Sequence, residues 1–426
     1  MKDGVVNSGN VDSDVDADIV IIGGGMAGLA FAAALSEMPL QIVVVDPQDQ
    51  PGPEHWANGF DPRVSALSLA SERLLQHVGA WPLIVGQRVC PYSRMQVWDG
   101  EGTGEVTFTS DSLADDFGVD HLGHIVENRV TQWALSQQVK KNANVSLVQS
   151  RLAGLRQGPK GWRVTLANGL QYTPSLVVGA DGGRSMVRQL AGFRVRAWHY
   201  QHTAIVTTVS TENPHQHSAR QIFLPTGPLA FLPLVNHNSA TDSQCHCSIV
   251  WSCETDYAEQ LLALDDNHFM GQLGYAFEYR LGKIVAADSR YSFPLLQQHA
   301  THYAQPGLAL IGDAAHTIHP LAGQGINLGF LDAAVLAEEV AAATQRGLSA
   351  GDHSLLRRYE RRRKTHNLLT MGAMEGFKRL FEPLHWLLIT ARNEGMKQFN
   401  QHYLAKQQVM AHAMGLAGDL PEMIKK

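Results

Sequence analysis

No apolar run in these 426 residues approaches the ~18 needed for a membrane-spanning helix, so none is expected. Cysteine is scarce. Cys90, Cys245, Cys247 and Cys253 are too few for a disulfide framework at this length. Cys245-x-Cys247 lacks the second half of a zinc site, so all four are expected to be reduced core or strand residues. The His-rich stretches His199–His202 and His215–His217 have no carboxylate at metal-ligand spacing and are expected to be solvated loops, so no metal site is expected. Charged residues make up only 17% of the chain and the net charge is −6, which argues against a dedicated nucleic-acid binder. The N-terminus, through Asp3, Asp12, Asp14, Asp16 and Asp18, lacks the basic-then-apolar order of a secretory signal, so a cytoplasmic location is expected. No Ser-His-Asp or Cys-His pattern marks a protein nucleophile.

What the chain does have is 44% hydrophobic residues, enough for the cores of two domains. Its charge is uneven. From Leu355 to Lys426 there are 13 Lys and Arg against 6 Asp and Glu, so this tail is about +7 and the remainder about −13. Within the tail, Arg357, Arg358, Arg361, Arg362, Arg363 and Lys364 form a basic run, and Trp386, Leu387, Leu388 and Ile389 an apolar one beyond a helix break at Pro383. Basic residues with Trp and Leu suit an interfacial helix. A membrane surface, met peripherally, or a partner complex is the expected contact. A hairpin packed on the rest of the chain, or a homo-oligomer contact, is the alternative.

Ile19–Ile22 reads as a short buried strand, Met26 to about Glu37 as a helix, and Ile42–Val45 as a strand ending on Asp46, together one β-α-β unit. Ser65–Val78 and Asn128–Val139 carry helical spacing. Met95–Phe108 and Val145–Leu170 alternate like strands, and Ser175–Gly179 and Leu308–Ile311 are further buried strands. From Ala204 to Val250 the chain is β-rich, with Gly227-Pro228 expected as a turn between Gln221–Pro225 and Leu229–Leu234. The fold class expected is α/β: a Rossmann-type nucleotide-binding domain, an inserted mostly-β substrate domain and a helical C-terminus. The expected boundaries are a disordered tail over 1–16, a discontinuous nucleotide domain over 17–90, 120–195 and 303–350, a sheet domain over 91–119 and 196–302, and helices over 351–426.

Gly23-Gly24-Gly25-Met26-Ala27-Gly28 fits G-x-G-x-x-G directly after a strand and at the start of a helix. Gly23 permits the tight turn, Gly25 lets the backbone approach a pyrophosphate, and Gly28 allows close helix–strand packing. The helix N-terminus offers free N–H groups to the phosphate charge. Asp46, 18 residues beyond Gly28, is placed to accept from an adenosine ribose and to repel a 2′-phosphate. Two further stretches favour FAD over NAD. One is Gly179-Ala180-Asp181-Gly182-Gly183-Arg184-Ser185 with Arg188. The other is Gly312-Asp313 running on through His316 and His319 to Pro320, Gly323, Gln324, Gly325 and Asn327. Asp313, at a strand end, can bind a ribityl hydroxyl. Bare backbone around Gln324 at a helix start can stabilise negative charge on a reduced flavin ring.

With Asp61-Pro62-Arg63-Val64-Ser65-Ala66-Leu67 and Val126-Glu127-Asn128-Arg129-Val130, these motifs resemble the class A flavoprotein monooxygenases, the group that includes para-hydroxybenzoate hydroxylase. Within it the chain is most similar to the ubiquinone-biosynthesis hydroxylases, over about residues 17–420. The tail Ala413-Met414-Gly415-Leu416 with Asp419-Leu420-Pro421 is similar to the subgroup that hydroxylates ring carbon 5.

That resemblance implies a polyprenylated phenol as substrate, hydroxylated with O2 through a flavin C4a-hydroperoxide, and NAD(P)H as a transient reductant without its own Rossmann domain. It implies that Gly23, Gly25, Gly28 and Asp46 bind the ADP half of FAD and that Arg63 lies along the flavin and pyrophosphate. Glu127, Asn128 and Arg129 would approach the cofactor, and Asp181 and Arg188 would belong to a motif shared by FAD and nicotinamide. Gly312 and Asp313 would reach the ribityl chain, while Pro320, Gly323, Gln324, Gly325 and Asn327 would surround the isoalloxazine. Phe223, Pro225, Phe231 and Pro233, on one strand pair, are the expected substrate wall; ordinary sheet core is the alternative. An FAD dehydrogenase or reductase acting on an apolar substrate, and a flavin-bearing scaffold, also stay open, and neither would yield a hydroxylated product.

Overall fold

Strands that are apolar at every position need both faces covered, and Ile19–Ile22 and Leu176–Gly179 are of this kind. The computed structural model describes residues 16–49, 51–56, 59–112, 118–235, 244–318, 325–381 and 385–425. It places both strands at the centre of a six-stranded sheet ordered Ala304–Gln305, Leu308–Leu310, Leu176–Gly179, Ile19–Ile22, Ile42–Asp46 and Val145–Gln149. All pairs are parallel except the edge pair Ala304–Gln305 with Leu308–Leu310. Strands from widely separated stretches therefore end side by side, and the turns after Ile22, Asp46, Gly179 and Leu310 share one edge. In open parallel sheets that edge is where ligands bind.

The helix Met26–Ala34 packs on both Asn128–Lys140 and the long helix Gly325–Gln345, and His353–Leu380 packs outside the latter. A three-stranded sheet of Val64–Leu67, Gly123–Glu127 and Val89–Tyr92 stands beside them. The expected helix over Ser65–Val78 is thus corrected: Val64–Leu67 is strand, and the helix begins at Leu69 behind the cap Ser68, whose hydroxyl accepts from Ser71 N. The expected break after residue 90 falls inside the strand Val89–Tyr92. Of the expected tail over 1–16, only Asp16 is among the described residues.

A second, nine-stranded sheet is built around Val195–Thr211, which pairs with Tyr291–Ala300 and His246–Glu254 and, further out, reaches Gly227–Leu234, Ser218–Leu224 and Arg94–Asp99. One face is backed by the helices Thr255–Ala263 and Asp266–Ala276 over a core of Trp98, Phe231, Trp251, Phe269 and Phe277. The hairpin turn falls at Pro225-Thr226 rather than Gly227-Pro228. Gly227 opens the second strand at φ +125°, where a Cβ would meet Ser252 O at 2.1 Å, so only glycine fits.

The His-rich stretches are not solvated loops. His202 and its neighbours lie in the strand Val195–Thr211, and His215 is fully buried, its Nε2 3.0 Å from Leu234 O. All four cysteines are free, and Cys90, Cys247 and Cys253 are buried.

The tail forms the helices His353–Leu380, Trp386–Gln401 and Tyr403–Ala413; Pro383 lies outside the described residues. Arg392 is buried and bidentate on Asp99, at 2.7 and 2.8 Å, which locks the tail to the second sheet. Much of the basic run is consumed internally. Arg358 pairs with Glu339, Arg362 with Glu338, Glu339 and Asp419, and Arg363 with Asp332. These three cations of the run are therefore paired within the protein. None of the described helices is long and apolar enough to cross a membrane.

Candidate functional site

The shared strand edge opens into a cavity of about 760 Å³, within the range of small-molecule and cofactor sites. Each of the three glycine-rich turns contributes wall: Gly23 and Gly25 from the first, Asp181 and Gly182 from the second, and Gly312 and Asp313 from the third. Asp46, Arg63, Asn128 and Gly325 also line it.

The glycines are there for distinct reasons. Gly23 has φ +113°, and a Cβ on it would meet Ala180 O at 2.3 Å. Gly28 turns away from the cavity, and a Cβ there would meet Gly23 O at 2.1 Å, so helix and strand are closed against each other. A Cβ on Gly25 would have nothing within 4 Å. Gly25 is therefore bare on its cavity side, at the N-terminus of the helix Met26–Ala34, where unpaired N–H groups favour anionic oxygens.

Three carboxylates border the cavity. Asp46 is oriented by Gly24 N on Oδ2 at 2.7 Å and Gln48 N on Oδ1 at 2.8 Å. Asp181 Oδ2 accepts from Met186 N and Val187 N at 2.7 and 3.1 Å, while its Oδ1 is buried with no hydrogen-bond partner among the described residues. Asp313 is surrounded by protein yet open to the cavity. Burial pushes its carboxyl above the ordinary carboxylate range, against the lowering pull of His316 and Arg63.

Beneath Asp313 lies a buried network that sequence spacing did not reveal. Asp332, fully buried, takes Gly312 N at 3.0 Å and the Nε2 of His316 on Oδ2. Its Oδ1 takes Arg363 Nε at 2.7 Å and Asn367 Nδ2 at 3.1 Å. Helices Gly325–Gln345 and His353–Leu380 thus anchor the third glycine turn, because Asp332 sits on one and Arg363 on the other.

Several expected contacts are not brought to the cavity. Glu127 is buried and clamps Arg88, Arg129 and Asp61 N, which fixes the loop that carries Arg63. Arg129 is committed to Glu127, to Gly59 O at 2.8 Å and to the Trp56 ring. Arg188 is buried and donates to Ala314 O and Gly183 O, bridging the second and third turns. Asn327 ties its helix to Ser68 N, Ser71 Oγ and Ala66 O. Each is a motif residue whose hydrogen bonds are spent holding wall segments in place. Pro320, Gly323 and Gln324 lie outside the described residues.

Gln132, which donates to Gly24 O at 2.9 Å, and Arg151 line the wall without any sequence signal, and Arg184 of the second glycine motif lines it too.

The four expected substrate-wall residues do not share a surface. Arg220 pairs with Phe231 and Phe223 with Pro228, which puts Phe223 and Phe231 on opposite faces of the sheet. Phe231 stacks on Phe277 at 3.6 Å in the helix-backed core, and Phe223 stacks on Phe381 of the tail at 3.9 Å. None of the four lines the cavity.

A mostly parallel sheet whose strand ends carry a dinucleotide turn plus two further glycine turns around one cavity defines a flavin-binding oxidoreductase. Residues 16–371 match the family model described as FAD binding domain. Ubiquinone hydroxylase UbiL of Rhodospirillum rubrum is 38% identical over 95% of this chain and 90% of its own length. The 3-demethoxyubiquinol 3-hydroxylase of Escherichia coli is 35% identical, over 94% and 98%. Mitochondrial ubiquinone biosynthesis monooxygenase COQ6 of Xenopus tropicalis is 34% identical, over 93% of both chains. Among solved structures, p-nitrophenol 4-monooxygenase PnpA of Pseudomonas putida superposes with a TM-score of 0.74 at 18% identity, covering 95% of this chain and 99% of its own, which shows the shared fold. The chain belongs to the FAD-dependent monooxygenases, in the group of the ubiquinone-biosynthesis hydroxylases.

Proposed function

We propose that this enzyme adds one hydroxyl to the aromatic ring of a polyprenylated phenol, at carbon 5, with FAD spanning the cavity and NAD(P)H as transient reductant. The convergence of three sequence-distant glycine turns on one cavity carries the cofactor part of this assignment. The names of the relatives support the substrate class, and the Ala413–Pro421 tail supports the ring position.

The residues present fit FAD. The bare cradle at Gly25 suits a pyrophosphate, and Asp46 remains within reach of a ribose hydroxyl. The unpartnered Oδ1 of Asp181 offers an acceptor. When bound, FAD supplies the redox chemistry, taking a hydride from the reduced nicotinamide and passing one oxygen atom of O2 to the ring. The protein contributes placement. Asp313 accepts from a ribityl hydroxyl, Arg63 offsets phosphate charge, and the helix start at Gly325 borders the ring system.

Replacing Asp313 by Ala should weaken FAD roughly 10-fold or more, the scale of one charge-assisted hydrogen bond, read by flavin fluorescence on dilution. Asp46→Ala should weaken FAD without altering the product. A changed product at unchanged FAD affinity would contradict this placement.

The activity itself is tested in a strain lacking the protein. Mass spectrometry should find polyprenylphenol that carries no hydroxyl at carbon 5, and restoring the gene should clear it. A methoxylated intermediate accumulating instead would move the step to a later ring position. Unchanged ubiquinone would remove the chain from this pathway.

A prenylated substrate resides in lipid, and the tail exposes an apolar surface suited to meeting it. Trp386, Leu387 and Leu388, at the start of their helix, are 65, 55 and 54% exposed, and Phe377 and Leu380 near the end of the preceding helix are exposed too. Because much of the neighbouring basic run is internally paired, insertion rather than charge should drive the contact. Vesicles of neutral phosphatidylcholine should therefore sediment the protein nearly as well as anionic ones. Changing Trp386, Leu387 and Leu388 together to Ser should abolish binding. Binding only to anionic vesicles would return the contact to the basic run.

A further inference from the structure

We propose that Glu72, His121 and His124 form a site for one zinc-class divalent ion, apart from the flavin cavity, that ties the helix Leu69–His77 to the strand Gly123–Glu127. Glu72 comes from the helix and His124 from the strand, while His121 lies just before that strand. Sequence spacing could not reveal the set, because the carboxylate lies 49 residues from the nearer histidine.

Glu72 Oε2 is 2.9 Å from His121 Nε2 and 3.4 Å from His124 Nδ1, and one donor atom from each residue lies within 4.8 Å of the others. A tetrahedral ion with bonds of about 2.0–2.1 Å sets its donors roughly 3.3–3.4 Å apart, close to the two distances from Glu72 Oε2.

The surroundings are those of a built ligand set. His121 Nδ1 is 2.9 Å from Asp120 Oδ1, and Gln76 Nε2 donates to the second carboxylate oxygen of Glu72 at 2.9 Å. Both contacts aim the ligand-side atoms inward, as outer-shell partners of metal ligands do. His124 is 8% exposed, Trp81 packs edge-on against its ring at 4.8 Å, and its Nδ1 is buried with no hydrogen bond among the described residues. That nitrogen faces Glu72 Oε2 at 3.4 Å without a hydrogen bond, and an ion between the two would give it a partner.

Two imidazole nitrogens and one carboxylate oxygen suit zinc, cobalt, nickel or copper. Magnesium and calcium call for oxygen donors throughout. The side chain of His121 is 14% exposed, which leaves the site reachable from solvent and a fourth position for water. None of the three residues lines the flavin cavity, so the ion acts on structure rather than on the hydroxylation. The same helix, through Ser71 and its cap Ser68, holds Asn327 near the start of Gly325–Gln345. An ion here would stiffen that seat.

The test uses the full-length, FAD-loaded protein stripped with chelator and titrated with zinc alone. The unaltered protein should take up one ion per chain more tightly than its remaining histidines do, and its unfolding temperature should rise with zinc. His121→Ala and His124→Phe, made separately, should each weaken that ion at least 100-fold and lose the thermal response. Equal uptake by the altered and unaltered proteins, or no saturable uptake, would overturn the proposal. Should either variant fail to fold, cobalt on the unaltered protein decides. Intense four- or five-coordinate visible bands support the site, whereas the pale spectrum of a six-coordinate ion overturns it. Magnesium added in excess should not compete.

Discussion

Asp332→Ala should cost about 3–5 kcal/mol of stability, the scale of a buried ion pair broken on one side. The substitution leaves the guanidinium of Arg363 and the ring of His316 buried without their acceptor, and Gly312 N loses its partner as well. Urea unfolding of the flavin-loaded protein measures the loss, and flavin should dissociate well before global unfolding because the third glycine turn is freed. A change below about 1 kcal/mol would show that the network is not a stability element. The pH dependence follows from the same group. Burial pushes the Asp332 carboxyl up, but His316 and Arg363 outweigh it and hold the carboxyl well below the ordinary range. A depressed folded pKa gives stability that is fully present above the unfolded value, about 4, and is lost as pH falls through the folded one. The unaltered protein should therefore lose stability below about pH 4, and Asp332→Ala should lack that part of the acid limb.

Gly25→Val should reduce FAD affinity about 100-fold, or about 2.7 kcal/mol, while the apoprotein keeps its fold. The Cβ that carries the added carbons has open space around it rather than backbone. Those carbons occupy the volume in which the pyrophosphate must approach the N–H groups of the helix Met26–Ala34. Gly28→Val is the matched control: its Cβ would collide with Gly23 O at 2.1 Å, so it should damage folding itself. Circular dichroism and unfolding of the two apoproteins, beside flavin titration, separate the outcomes. Full flavin occupancy in Gly25→Val would place the pyrophosphate elsewhere.

Local pattern was sufficient for the nucleotide half of the fold. The apolar strand, glycine turn and helix over residues 19–34 express short-range torsional and periodic preferences, and the structure reproduces them. The motif residues Gly23, Gly25, Asp46, Asp181 and Asp313 end on strand edges, where the chain itself aims them at the cavity. Pattern was less informative for residues beyond those edges. Glu127, Arg129, Arg188 and Asn327 stand in equally recognisable motifs, yet their side chains turn to carbonyls and ions contributed by distant segments. A motif marks a place in the chain and does not state what each side chain will find there.

By itself the sequence determined the α/β class and the three glycine turns, because each depends on neighbours within a few residues. Only the tertiary structure decided that Phe223 and Phe231 point to opposite sides of one sheet, since strand register, not composition, assigns a face. It alone decided that much of the basic run of the tail is neutralised by Glu338, Glu339, Asp332 and Asp419. It alone brought Glu72 to His121 and His124, and Asp99 to Arg392. Those pairings span up to 293 residues, and at such separations the partner of a charge is set by how helices and sheets pack, which no local window contains.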